Sequence, residues 1–337
     1  MNILVVTTGG RAEGHGHIQR QSVLARELAN RGHYVEFVTL AHTSGSSRLL
    51  QFFPGTYPVI VTDLPNMGSV STYVKAHRGA SMVIIDLEHG PARNLLLHAK
   101  SDGRKVVVIG GVGFAIHDQK SVDELVDLQI YQGVAVTSMN NERSVKNMLV
   151  GAEYVIIDPI YREARNTSGK RDGVLISMGG SDPHNITQLV ATKVASLYED
   201  DEVCIVLGPG MKDSNLVDVP GHNVSFTRSP NDLSGLMSSH KYLITALGMT
   251  VYEALCLGIP VACTAWSKDH EETAARLADG DYIHYLGLWD NIRWDGLEYD
   301  MRKMLTYDDD WNKYVSRGRE FIDGLGVQRV ADALETL

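Results

Sequence analysis

The sequence predicts an α/β protein of two Rossmann-like, doubly wound parallel-sheet domains facing a cleft. Three observations carry that expectation. The chain has 337 residues, beyond the size at which one hydrophobic core stops growing, so two domains of roughly 150 residues are expected. Both halves alternate short Val- and Ile-rich runs with helical patterns of ten or so residues, the signature of βαβ units around a buried sheet. Glycine-rich turns stand where strands hand over to helices, and in such folds the loops at the carboxyl ends of the strands bind ligands.

NILVVTT at the start reads as a buried first strand. QRQSVLARELANRGH reads as the helix after it, with Val23, Leu24 and Leu28 at helical spacing and Gly32 as the residue that ends it. YVEFVTL, SMVIID and KVVVIGG are further strands, and NLLLHAKSDG is a helix between the last two. Residues 167–173, TSGKRDG, are polar, contain glycine and lack apolar periodicity, so they are the expected linker between a first domain over 1–166 and a second over 174–310. The second half repeats the alternation, with strands VLISMGG, EVCIVLG, VSFTR, YLITALG and PVACTA and helices NITQLVATKVASLYE, VYEALCLG and ETAARLADG. The acidic run Tyr307 to Asp310 suits a helix start, because Asp caps exposed N–H groups. Residues 311–337 form a closing helical stretch, with Trp311, Tyr314, Val315, Phe321, Ile322 and Leu325 at helical spacing.

Composition excludes several classes. No stretch approaches the roughly 18 apolar residues that span a bilayer. The first residues lack the basic segment and the long apolar run of a signal peptide, so the protein is expected in the cytoplasm. Cys204, Cys256 and Cys263 lie in apolar contexts without CxxC spacing and are expected as reduced core residues. A formal net charge of −10 argues against general nucleic-acid binding, which depends on neutralising phosphates.

Three loops carry chemistry. Gly14, Gly16, His17 and Arg20 form GxGHxxR directly before a helix, in the stretch TTGGRAEGHGHIQR. The glycines allow close backbone approach, and the helix N-terminus suits phosphate or a developing oxyanion. His17 is the expected proton-transfer group, since an imidazole exchanges a proton near neutral pH; Arg20, one turn on, is an ion-pair candidate. The second loop, VLISMGGSDPHNIT, presents Gly179, Gly180, Ser181 and Asp182 before a polar helix start with Asn185 and Thr187, which fits a diphosphate cradle. In the third, ITALGMTVYEALCLGIPV, Gly248 and Thr250 stand at a helix N-terminus and Glu253 one turn in, where a carboxylate can accept two ribose hydroxyls. A metal bridged by His15 and His17 is not expected, because no pair has the i, i+4 spacing that fixes two ligands on one helix face, and no cofactor is expected.

GxGHxxR, ISxGGSDPxNxT and AxGxTxxEaxxxGxP together resemble the cytoplasmic UDP-sugar hydrolases of pseudaminic acid synthesis and their spore-coat relatives. LVGAEYVIIDPIYRE at 149–163 is similar to another segment of that family. These are GT-B-fold proteins, related to the glycosyltransferase that adds N-acetylglucosamine to lipid-linked muramyl peptide. The resemblance implies a nucleotide-sugar substrate, with a UDP-sugar favoured and His17 matching the histidine that activates water at the anomeric carbon. It also implies a closing helix that returns to the first domain. Two positions depart from the pattern: Gly110 and Gly111 replace an Asp-Asp pair, and Asp269-His270 replace an Asn-Gln pair that lies beside the donor sugar. Asp269, His270 and Glu271 can supply equivalent hydrogen bonds to sugar hydroxyls. Hydrolysis is the leading expectation; transfer to a hydroxyl acceptor and non-catalytic nucleotide-sugar binding are the alternatives.

Overall fold

The computed structural model describes residues 1–9, 15–40, 60–87, 90–110, 119–134, 147–166, 171–180, 182, 184–197, 202–211, 219, 223–230, 232–306 and 308–337. The chain divides into two compact units, Met1–Ile156 with Leu325–Leu337, and Ile157–Gly324.

The first unit runs β1 (Asn2–Thr7), α1 (Gly16–Asn30), β2 (Tyr34–Leu40), β3 (Ile60–Leu64), α2 (Met67–Ala76), β4 (Met82–Asp86), α3 (Arg93–Lys100), β5 (Lys105–Gly110), α4 (Gln119–Leu125), β6 (Leu128–Gln132) and β7 (Met148–Gly151). Its strands pair in parallel in the order β3-β2-β1-β4-β5-β6-β7. The central strands are continuous β-branched runs because helices cover both faces. Alternate residues divide between those faces. Ile3, Val5, Ile84 and Val107 pack with Ile18, Leu24 and Leu28 of α1. Leu4, Val6, Val83 and Ile85 pack with Val70 and Val74 of α2 and Leu95 and Leu96 of α3.

The second unit runs α5 (Pro159–Glu163), β8 (Val174–Ser177), α6 (Ile186–Leu197), β9 (Val203–Leu207), β10 (Val224–Arg228), α7 (Leu233–Ser238), β11 (Tyr242–Ala246), α8 (Met249–Leu257), β12 (Val261–Ala265), α9 (Lys268–Asp279), β13 (His284–Leu288), α10 (Trp294–Thr306) and α11 (Asp308–Phe321). Its parallel order is β10-β9-β8-β11-β12-β13. Both sheets therefore reverse their strand order once, between β1 and β4 and between β8 and β11, and such a reversal opens a crevice at the carboxyl ends of the two strands.

Residues 171–173 lead into β8 inside the second unit, and residues 167–170 lie outside the described residues. The closing stretch is two helices. α11 belongs to the second unit, and α12 (Gly326–Glu335) belongs to the first. There Val327, Val330, Ala331 and Leu334 join the core under α1, and Arg31 Nη1 donates to Asp332 at 2.6 Å and Glu335 at 2.9 Å. No described helix is long and apolar enough to cross a membrane. Cys204, Cys256 and Cys263 are buried free thiols.

Candidate functional site

In the first unit the crevice lies where β1 and β4 end side by side, with Thr7 in register with Asp86. Gly14 lies outside the described residues. Gly16 opens α1, and His17, Arg20 and Gln21 follow at i, i+3 and i+4, so one helix face carries all three. They converge on the Asp86 carboxylate. His17 Nδ1 is 2.7 Å from Oδ1, Arg20 Nε donates to Oδ2 at 2.6 Å, Gln21 Nε2 donates to Oδ2 at 2.7 Å, and Arg20 Nη2 also donates to Oδ1. All four side chains are buried. Burial alone would raise the Asp86 pKa, but the charges of Arg20 and His17 outweigh it and hold the carboxyl well below the usual carboxylate range.

Facing the ionised Asp86 oxygen at 2.7 Å, Nδ1 is suited to carry the imidazole hydrogen. Arg20 Nη2, a donor, lies 2.8 Å from the same Nδ1, so that nitrogen sits between a carboxylate acceptor and a guanidinium donor. With the hydrogen on Nδ1, toward the carboxylate, the lone pair of neutral His17 is on Nε2, the tautomer of a general base; with Nδ1 accepting from Arg20 the two are exchanged.

In the second unit the loops after β8 and β11 adjoin, and Thr245 Oγ1 ties the strands by donating to the Ser177 carbonyl at 2.6 Å. Gly179 has φ +88, and a Cβ there would meet no atom within 4 Å. Ser181 lies outside the described residues. Asp182 is buried, and its oxygens accept from the backbone N–H of Ile186 and Thr187, each at 2.8 Å. Its carboxylate thus occupies the amides at the start of α6, so Asp182 holds the loop's shape. Asn185 closes the turn, its N–H donating to the Asp182 carbonyl at 3.1 Å. From the next strand Gly208 presses on the loop: a Cβ would lie 2.3 Å from the Gly179 carbonyl oxygen and 2.5 Å from that of Gly180. Gly208→Ala is expected to cost about 1–3 kcal/mol by overpacking, as urea unfolding would measure.

The start of α8 is more open than that of α6. Gly248 stands at its N-cap with no side-chain cap, in extended backbone, and a Cβ there would meet nothing within 4 Å. Thr250 is half-buried in the first turn, and Glu253 is buried one turn in, bonded by the Tyr161 hydroxyl. Burial first, and then Glu253, push the Tyr161 pKa well up. At the other end, Arg165 donates to the Cys256 carbonyl at 2.6 Å, Arg319 to Leu257 at 3.0 Å and Arg171 to Gly258 at 2.8 Å. Three guanidiniums thus satisfy the negative end of the helix while its positive end carries no side-chain cap.

Asp269 and His270 fall in the first turn of α9, which Ser267 caps through the His270 N–H at 3.4 Å. Glu271 accepts from the Tyr285 hydroxyl at 3.5 Å. Gly110 ends β5 opposite Tyr131, and a Cβ there would stand 3.0 Å from that ring. The buried Tyr131 ring fills the space that a carboxylate would need; Gly111 lies outside the described residues. Among the described residues, no group of three His, Cys, Asp or Glu side chains is placed to hold a metal. Asp86 is the residue that motif spacing missed. A lone carboxylate ending the otherwise apolar strand SMVIID was the available signal.

No family model matches the chain. It is 25% identical to a spore coat polysaccharide biosynthesis protein, SpsG, of Bacillus subtilis, covering 100% of this chain and 98% of that one. It is 23% identical to the UDP-2,4-diacetamido-2,4,6-trideoxy-beta-L-altropyranose hydrolase of Campylobacter jejuni, over 84% of this chain and 98% of the hydrolase. Among solved structures it matches Acinetobacter baumannii MurG with a TM-score of 0.68 at 15% identity, covering 100% of both chains. The resemblance carried by the loop motifs thus extends to homologues along the chain, and the fold is GT-B.

Proposed function

We propose that the protein is an enzyme that cleaves the anomeric C–O bond of a UDP-sugar, with His17 as general base and water as acceptor. The observation that supports this is the buried His17–Asp86 pair, in which a hydrogen on Nδ1 toward the carboxylate leaves the imidazole lone pair on Nε2. In the reaction, Nε2 takes a proton from water as the water oxygen bonds to the anomeric carbon, and the bond from that carbon to the diphosphate oxygen breaks. UDP leaves with the electron pair. Arg20 and Asp86 hold the imidazole as it becomes cationic. Gly14 and Gly16 let backbone and substrate approach.

The nucleotide belongs to the second unit in this reading. The uncapped start of α8 at Gly248 and Thr250, with Gly179, Gly180 and Ser181, cradles the diphosphate and stabilises the charge that develops on the leaving group. Asp182 and Asn185 act by shaping that loop. Glu253 accepts the ribose hydroxyls. A carboxylate accepts about four hydrogen bonds, so the Tyr161 bond and two ribose bonds are compatible. Asp269, His270 and Glu271 hold sugar hydroxyls. The UDP-sugar hydrolase homologue supports the reaction type.

Incubation with UDP-sugars in the absence of acceptor tests the proposal. Release of free UDP is expected; release only when a hydroxyl acceptor is added would assign a glycosyltransferase instead, and tight binding without turnover in either case would assign a binding protein. Glu253→Ala is expected to weaken UDP binding by about 1–3 kcal/mol through loss of two hydroxyl bonds, read by calorimetry. Unchanged UDP affinity would put the ribose elsewhere.

A further inference from the structure

His184 is exposed, yet its ring is not loose. It stacks on Trp289 with centroids 3.9 Å apart and planes 14° from parallel, and it meets Trp266 at 5.8 Å with a tilt of 36°. The three rings come from three separate junctions at the carboxyl end of the second sheet. His184 lies between β8 and α6, Trp266 directly follows β12 and Trp289 directly follows β13. The last two junctions are laced together by the Trp289 N–H, which donates to the Ala265 carbonyl at 3.0 Å. Both indoles pack one side against the core of the unit and remain partly open on the other.

The backbone that delivers His184 is built for the purpose. Asp182 has φ 39 and Asn185 has φ 55, both in the left-handed region that non-glycine residues rarely adopt. The turn between them is closed by the Asn185 N–H on the Asp182 carbonyl and pinned by the Asp182 carboxylate on α6. Between Asp182 and Asn185, held in this backbone, the His184 imidazole lies over the Trp289 indole at the carboxyl end of the sheet.

We propose that His184, Trp266 and Trp289 form a platform for the donor sugar, packing on the apolar C–H face of the pyranose of the nucleotide-sugar. This rests on the nucleotide-sugar reading above and extends it to residues that no loop motif assigns. Trp266 is followed directly by Ser267, which caps the α9 turn that carries Asp269, His270 and Glu271. Stacked rings grip an apolar face while a few polar groups fix orientation, the usual division of labour in a carbohydrate or cofactor pocket. The tilt between His184 and Trp266 leaves an open angle rather than a closed sandwich. The imidazole edge also offers a hydrogen bond to a ring substituent.

The test compares UDP, UDP-glucose and UDP-N-acetylglucosamine by calorimetry and by indole fluorescence. In the wild-type protein at least one UDP-sugar is expected to bind more tightly than UDP and to change indole emission beyond the change UDP causes. His184→Ala is expected to leave UDP affinity within about twofold and to reduce the advantage of the sugar conjugate by about 2- to 10-fold; Trp266→Leu is expected to do the same and to remove most of the sugar-dependent emission change. If either variant weakens UDP and its sugar conjugates equally, or leaves the sugar advantage intact, the platform is wrong and the nucleotide reading stands. If the wild-type protein binds UDP but gains nothing from the sugar, the platform is again overturned. If it binds neither UDP nor the conjugates, the nucleotide reading falls and the platform falls with it.

Discussion

Turnover of the His17→Ala variant is expected to fall by about 10² to 10⁴, the range lost with a general base, while affinity for UDP stays within about twofold of wild type. The separation follows from the topology. His17 stands at the β1/β4 crevice of the first unit, whereas the residues proposed for the nucleotide stand at the β8/β11 crevice of the second. Folding should survive the change, because Asp86 keeps Arg20 and Gln21 as partners and the ion pair is not broken. Single-turnover measurement of UDP release isolates the chemical step. A variant that hydrolyses at the wild-type rate would remove His17 from the mechanism, whatever its neighbours do.

Much of the framework was readable from local pattern. NILVVTT, SMVIID and KVVVIGG announce buried strands because β-branched runs covered on both faces have no polar alternation to hide them. β6 escaped because its sequence, LQIYQ, contains two glutamines. Both are buried and bonded, Gln129 donating to the Tyr131 hydroxyl at 2.8 Å and Gln132 accepting from the Ile156 N–H at 2.8 Å. Each glutamine has a partner inside the fold, and a rule based on hydropathy cannot foresee such pairing. β13 was hidden by Gly287, whose φ of +101 marks the irregularity where its register with β12 shifts. The chain passes from the first unit to the second within YVIID, where Val155, Ile156 and Ile157 are all buried, so composition gives no sign of that crossing.

The candidate site divides along the same line. Gly179, Gly248 and Glu253 could be picked from sequence because a βα loop and the helix after it are contiguous. The partner of His17 could not. Arg20, one turn away, was the local candidate, and it does lie beside the histidine, but both point at a carboxylate 66 to 69 residues further along the chain. Only the pairing of β1 with β4, which sets Thr7 beside Asp86, brings that carboxylate to the first turns of α1.

Asp86→Asn is expected to lower turnover by about 10³ to 10⁴, as loss of an orienting carboxylate does in other His–Asp systems, and to destabilise the protein at the same time. Consider the amide in place of the carboxylate. Its oxygen is expected at the Oδ2 position, where both Arg20 Nε and Gln21 Nε2 donate, which puts its NH₂ group at the Oδ1 position beside His17 Nδ1. That arrangement favours a lone pair on Nδ1 and a hydrogen on Nε2, the tautomer that cannot accept a proton from water. The stability effect has a separate cause. Arg20 is 3% exposed, and depriving a buried cation of its partner costs about 3–5 kcal/mol. Wild-type stability should carry the matching pH dependence. The folded-state pKa of Asp86 is depressed, so its contribution is complete above the unfolded-state value near 4 and is lost as pH falls below that toward the folded value. In the variant this acid-dependent component should be absent. Urea unfolding of both proteins between about pH 2.5 and 7 reads the stability effect, and single-turnover hydrolysis reads the tautomer effect. A variant that lost stability but hydrolysed at the wild-type rate once folded would make Asp86 a purely structural counter-charge; one that lost hydrolysis with unchanged stability would mean that Arg20 finds another partner when the carboxylate is gone.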